Sequence, residues 1–270
     1  MQKYFVTLQH QKKSVFTNND KQPMKYTLEV CSGDIDSAMA AKRGGASRIE
    51  LCSALSEGGI TPSVGLAAEA CTLGLTVHAL IRPRGGDFLY SPAEVRTMVT
   101  DIRMLRQLGV DGVVIGCLTE DGDIDTEACR RLVDAAGDIN ITFHRAFDRC
   151  RCPEEALEQI IELGCNRILT SGQQSTAVEG IPLLSRLVKQ ADGRIIIMPG
   201  CGVNASNAAR ILQATGAIEI HASASTMMPS LMKFSRSDVY MGAKGADEDH
   251  RKVTDAQAVA DILKAINSIA

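Results

Sequence analysis

Arg43-Gly44-Gly45-Ala46-Ser47-Arg48-Ile49-Glu50-Leu51 is the stretch on which the fold turns. A helical pattern ends at glycine, a short link follows, and a β-rich run begins. Glycine there supplies the left-handed C-cap that lets the chain leave a helix. The unit recurs at Leu108-Gly109-Val110-Asp111-Gly112-Val113-Val114-Ile115-Gly116. It recurs again at Leu163-Gly164-Cys165-Asn166-Arg167-Ile168-Leu169-Thr170 and at Thr215-Gly216-Ala217-Ile218-Glu219-Ile220-His221.

Working outward from these copies, strands are predicted near 26–31, 48–52, 76–82, 111–116, 140–145, 166–171, 194–199 and 217–223. Helical patterns at 37–44, 92–108, 126–136, 153–163, 181–190, 206–215 and 254–269 separate or follow them. Eight alternating units in one α/β chain predict a (β/α)8 TIM barrel as a single domain over residues 24–270. A doubly wound open sheet is the alternative, but no Gly-x-Gly-x-x-Gly follows the first strand. Residues 1–23 are polar and lack a continuous apolar run, so they read as a flexible extension rather than a signal peptide, with Met24 as a natural start.

Strand alternation then assigns faces. Thr27-Leu28-Glu29-Val30-Cys31 and Arg48-Ile49-Glu50-Leu51-Cys52 repeat a Glu-x-Cys triplet. Leu28, Val30, Ile49, Leu51, Ile218 and Ile220 would face outward to meet helices. Glu29, Cys31, Glu50, Cys52, His78, Arg82, Thr142, His144, Glu219, His221 and Ser223 would face inward. Barrel interiors ordinarily favour branched apolar residues. So polar an interior points to a site at the C-terminal mouth, or to a buried salt-bridge network, which is a costly way to stabilise a core.

The loops at that mouth carry further chemistry. Arg82 and Arg84 beside Gly85-Gly86 suggest an anion clamp. Phe143-His144-Arg145-Ala146-Phe147-Asp148 offers an acid/base or ligand in His144 and an orienting carboxylate in Asp148. Ser171 ends the sixth strand, and Gly200 opens a glycine-rich turn of the kind that binds phosphate in barrels. About thirty irregular residues before the last helix include Met227, Met228, Met232 and Met241, read as apolar packing over the mouth.

Composition bounds the rest. A net charge of −3 provides no basic field for nucleic acid or an anionic membrane. No apolar run approaches a membrane span in length. The nine cysteines are odd in number, scattered and without a Cys-x-x-Cys pair, which argues for free thiols in a reducing cytoplasm. Cys71, Cys117, Cys129 and Cys165 read as small core residues, and Cys150-x-Cys152 is a weak metal signal.

The motifs Leu28-Glu29-Val30-Cys31, Arg48-Ile49-Glu50-Leu51-Cys52 and Glu57-Gly58-Gly59-Ile60-Thr61-Pro62-Ser63, with residues 81–91, 142–148, 169–172 and 198–202, resemble the CutC copper homeostasis family. The resemblance runs from about residue 25 to the C-terminus. It implies a cytoplasmic (β/α)8 barrel, usually a homodimer or higher homo-oligomer, that binds Cu(I). The family's copper ligands match Cys31 and Cys52. Cys201 stands where relatives usually carry glycine or alanine, and would add a third thiol near the mouth. The physics is compatible, since Cu(I) is soft and prefers thiolate. Two expectations follow. One is a copper-binding protein using Cys31 and Cys52. The other is a barrel enzyme on a small phosphorylated or carboxylated substrate, without a nucleotide cofactor. In the enzyme, Glu29, Glu50, His144 or Glu219 would be the acid and base. Arg82, Arg84, Asp148, Ser171, Gly200, His221 and Ser223 would hold the substrate.

Overall fold

The repeat resolves into alternating strands and helices in the computed structural model, which describes residues 26–269 apart from 237, 243, 244 and 246; the extension expected over 1–23 lies outside them. The first half runs β1 (Thr27–Ser32), α1 (Ile35–Arg43), β2 (Arg48–Leu51), α2 (Val64–Cys71), β3 (Thr76–Leu80), α3 (Pro92–Leu108), β4 (Gly112–Ile115) and α4 (Thr126–Ala136). The second runs β5 (Asn140–Phe143), α5 (Pro153–Glu162), β6 (Arg167–Thr170), α6 (Ile181–Ala191), β7 (Ile196–Pro199), α7 (Ala208–Thr215) and β8 (Glu219–Ala222). These strands are parallel and ordered β7-β6-β5-β4-β3-β2-β1-β8, with β7 and β8 side by side where the ring closes. This is the TIM barrel. Among the described residues no helix is long and apolar enough to cross a membrane.

Local chemistry explains the elements. Ser91 and Glu94 form a reciprocal capping box at α3, with Pro92 in its first turn. The left-handed residue of the repeat is Gly109 or Gly216 where the helix ends directly, but Gly45 rather than Gly44 in the first copy. Helix α2 is not among the expected helices because Gly65 weakens its pattern; Ser63 caps it by accepting from the Leu66 N–H.

The outward apolar set packs between sheet and helices: Leu28, Val30, Ile49, Leu51 and Ile220 are all buried. Ile218 is the exception at 54% exposed, since it precedes β8 at the open rim. The thirty-residue stretch expected to be irregular contains an antiparallel ribbon, β9 (Ser225–Pro229) with β10 (His250–Thr254), before α8 (Ala256–Asn267). Three of its four methionines are exposed rather than packed over the mouth, and Met228 is half-buried. Met227, Met232 and Met241 are 56%, 76% and 89% exposed. The ribbon supplies backbone pairing but little apolar surface to bury them, since Met227 pairs with Lys252 and Met228 with Arg251.

The barrel interior has two storeys. Arg48, Arg167 and Glu219 each open their strand, which puts them at the N-terminal end of the barrel. Arg48 Nε donates to Glu29 Oε2 at 2.7 Å, and its NH2 pairs closely with Glu219. Arg167 Nε donates to the same Glu219 at 3.0 Å. The salt-bridge reading therefore holds for this lower storey. Histidines occupy the space that glycines leave at the start of β4 and just past its end. A Cβ at Gly112 would lie 2.6 Å from His78 Cδ2, and one at Gly116 would lie 2.5 Å from His144 Cε1. Removing Arg48 takes the shared guanidinium partner from two buried carboxylates, Glu29 and Glu219. Arg48→Ala is expected to cost about 3–5 kcal/mol in urea unfolding. Arg84→Ala, at a half-exposed pair, is expected to cost about 1 kcal/mol or less.

Candidate functional site

The upper storey is built on β1, β2 and β8. Register pairs Cys31 with Glu50 across β1 and β2, so Cys52 follows on the same inward face. The Cys31 and Cys52 sulfurs lie 3.8 Å apart. Cys52 Sγ also contacts the Ser32 carbonyl at 3.7 Å. One potential ligand atom each from Cys31, Glu50 and His221 falls within 4.8 Å of the others.

Glu29 fixes the orientation of His221. His221 Nδ1 donates to Glu29 Oε1 at 3.0 Å, which leaves Nε2 3.6 Å from Glu50 Oε2. A carboxylate behind an imidazole is the usual device for setting its tautomer and ring angle. Glu29 itself is fully buried. His78 Nδ1 stands 3.1 Å from its Oε2, within ion-pair range but off the hydrogen-bond line.

The electrostatics follow from burial and neighbours. Burial alone would raise Glu29, but His221, His78 and the Arg48 charge hold it well below the usual carboxylate range. Burial likewise opposes charge on His221, yet Glu50, Cys31 and Glu29 raise it well above an ordinary imidazole. These acidic neighbours favour the imidazolium form of His221. Glu50 is raised, first by burial and then by Glu29 against the pull of His221. The Cys31 thiol is raised well above its ordinary value by its contact with Cys52, by burial and by the Glu50 charge. It keeps its proton until a cation replaces it.

A cavity of about 270 Å³ opens over this cluster. Cys31, Glu50 and His221 form one wall, and Phe88, His144 and Arg145 the other. The two walls face each other because β5 lies across the ring from β1. His144 Nδ1 accepts from the Ala146 N–H at 3.1 Å, so the imidazole proton sits on Nε2, which has no partner among the described residues. Burial, then the Arg82 charge, pulls His144 down to about 3. A larger cavity, about 490 Å³, is formed entirely by residues 230–249 of the ribbon segment.

Several expected ligand-binding residues serve the scaffold instead. Arg82 borders the cavity, but its guanidinium donates to the carbonyls of Glu57, Gly59 and Gly86 at 2.7, 2.8 and 2.9 Å. Arg84 is not part of a clamp: it pairs with Glu94 at 2.6 Å and Asp87 at 2.9 Å outside the cavity. The glycine turn is stabilised by these arginines rather than left open for an anion. Asp148 accepts from the Ser171 and Gln173 N–H groups at 3.0 and 3.1 Å and pairs with Arg145 at 2.7 Å. Gly200 gives clearance, since a Cβ there would meet Leu169 Cδ1 at 2.5 Å. Ser223 bonds Ser225 at 3.1 Å. Glu29 and Glu219 lie in the ion network beneath the cavity. Cys201 does not join the thiol pair; its sulfur contacts the Ser175 carbonyl at 3.1 Å, on a backbone with φ of 80°.

Three residues, two in the interior and one at the mouth, were missing from the expected sites. Arg48 and Arg167 share the inward alternation of Glu50 and Leu169, a signal present in the sequence. Arg145 directly follows His144, and only the turn after β5 swings it over the mouth.

A (β/α)8 barrel with a thiol pair beside a buried carboxylate and imidazole defines the class. The chain belongs to the CutC family, whose profile matches residues 26–226. It is 56% identical over 247 residues to a CutC family protein of Bacteroides thetaiotaomicron, covering 90% of this chain and 99% of that one. It is 49% identical to the human copper homeostasis protein cutC homolog, covering 91% of this chain and 89% of that protein. A crystal structure of a CutC protein from Streptococcus agalactiae superposes with a TM-score of 0.71 at 36% identity, covering 73% of this chain and 98% of that one.

His144 gives a pH test. Its folded pKa lies below the unfolded value near 6.5, so below pH 6.5 the unfolded chain takes up a proton that the folded chain refuses. Stability is expected to fall between pH 6.5 and 4.5 at up to about 1.4 kcal/mol per pH unit from this group. His221, raised above its unfolded value, contributes the opposite slope near pH 6.5 and little below about pH 5.5, where the unfolded imidazole is also protonated. Urea unfolding of His144→Asn should show a flatter acid limb than the parent.

Proposed function

We propose that the chain binds Cu(I) between the thiolates of Cys31 and Cys52, in a reducing cytoplasmic setting. The observation that carries this reading is the 3.8 Å sulfur separation on two adjacent strands of the barrel. Metal–thiolate bonds run to about 2.3 Å for zinc, so a bent bridge around one ion fits that spacing. Cu(I) is soft and takes thiolate ahead of carboxylate. The nine cysteines are all free, as a reducing compartment requires.

The neighbours suit the ion's charge. Two thiolates around a monovalent cation leave one negative charge in a buried place. The His221 imidazolium, held by Glu29 and Glu50, offsets it. Binding displaces thiol protons, so copper affinity should rise with pH. Glu50 is a hard oxygen ligand and adds little for Cu(I), but it keeps His221 in place.

Reduced protein titrated with Cu(I) against a chromophoric chelator tests the reading. One ion per chain is expected. Cys31→Ser/Cys52→Ser should lose affinity by more than about 100-fold, beyond the loss that removal of a supporting outer partner causes. Cys201→Ser should bind as the parent does. Unchanged binding in the double variant would reject the thiol site.

A further inference from the structure

Copper binding uses only one wall of the cavity. The other wall carries a guanidinium and an imidazole donor that the ion does not need. Arg145 is positioned with unusual care for a side chain that remains 42% exposed. Its Nε donates to Asp148 at 2.7 Å and its NH2 to Ser171 Oγ at 3.0 Å. Asp148 is in turn fixed by the Thr170 hydroxyl and by the Ser171 and Gln173 N–H groups. A guanidinium has five N–H donors, so this bracing leaves most of the fork free at the cavity edge. His144 lines the same wall, more than nine-tenths buried, with its Nε2–H unpartnered among the described residues. An orphaned buried donor is costly, and a ligand acceptor in the cavity would satisfy it.

We propose that this wall binds the carboxylate of a small hydroxy- or amino-acid, held by Arg145 and His144. The ligand's hydroxyl or ammonium would then donate to Glu50, across the cavity. Size supports this class. At about 270 Å³ the cavity lies at the lower limit of ligand pockets and excludes a nucleotide. Charge supports it as well. Glu50 and Glu57 also line the cavity. They repel a phosphate dianion, and they call for donors on the ligand that a plain anion lacks. The planar fork of arginine matches a carboxylate in two parallel bonds. This inference does not depend on the copper reading, because none of its anion-binding groups is a proposed copper ligand.

Calorimetric titration of the reduced, metal-free full chain tests it. The probes are lactate, glycerate and serine, with propionate and inorganic phosphate as comparisons. At least one of the first three should bind saturably at one molecule per chain, about tenfold or more tighter than propionate or phosphate. Arg145→Gln should weaken that binding by about tenfold or more. Arg145→Lys, which keeps the charge but loses the fork, should fall between. Arg84→Gln and Cys201→Ser should bind within about twofold of the parent, and binding by the metal-free chain separates this site from the copper pair. Three results would overturn the proposal: no saturable binding of lactate, glycerate or serine; phosphate binding as tightly as they do; or folded Arg145 variants that bind like the parent.

Discussion

The buried carboxylate of Glu29 is the group on which the interior depends. A lone carboxylate in a closed barrel would be prohibitively costly. Here it is surrounded by basic side chains drawn from three other strands, the Arg48 guanidinium on β2 and the imidazoles of His78 on β3 and His221 on β8. Those partners set the rest. Arg48 reaches on to Glu219, and Glu219 to Arg167, which closes an ionic floor at the N-terminal end of the strands. His221, turned by Glu29, presents its other nitrogen to Glu50 and stands beside Cys31. The floor thus determines the charge and geometry of the site above it.

The two thiols owe their closeness to rigid elements rather than loops. Cys31 lies within β1, and Cys52 follows directly on β2, so the parallel register sets their spacing. Space elsewhere in the interior comes from glycines at the two ends of β4, where Gly112 and the following Gly116 yield to His78 and His144. A barrel filled with branched residues would have no room for these imidazoles. Giving up apolar packing there is what allows a polar cavity within an otherwise well-buried core.

Much of this was legible in the sequence, and the exceptions have physical reasons. The glycine-punctuated repeat led to the barrel. The Glu-x-Cys alternation led to two thiols on one face, because a period of two leaves no choice of side. Alternation does not report depth or partners. Glu29 and Glu219 were grouped with Glu50 as inward carboxylates, yet arginines claim the first two and not the third. Arg82 and Arg84 looked like an anion clamp beside two glycines. Their donors go to loop carbonyls and to Glu94 instead, a choice that depends on how the turn closes in three dimensions. Arg145 was passed over because its role appears only once the turn after β5 and Asp148 are in place. The exposed methionines show the same limit from the other side, since their apolar character did not bring them to the mouth.

The most direct test of the account is X-ray absorption at the copper edge, on protein carrying one Cu(I) per chain. The account predicts a sulfur-dominated shell in the parent and in Cys201→Ser, and loss of that shell in Cys31→Ser/Cys52→Ser. A shell of nitrogen and oxygen alone, or a sulfur shell that survives in the double variant, would contradict it.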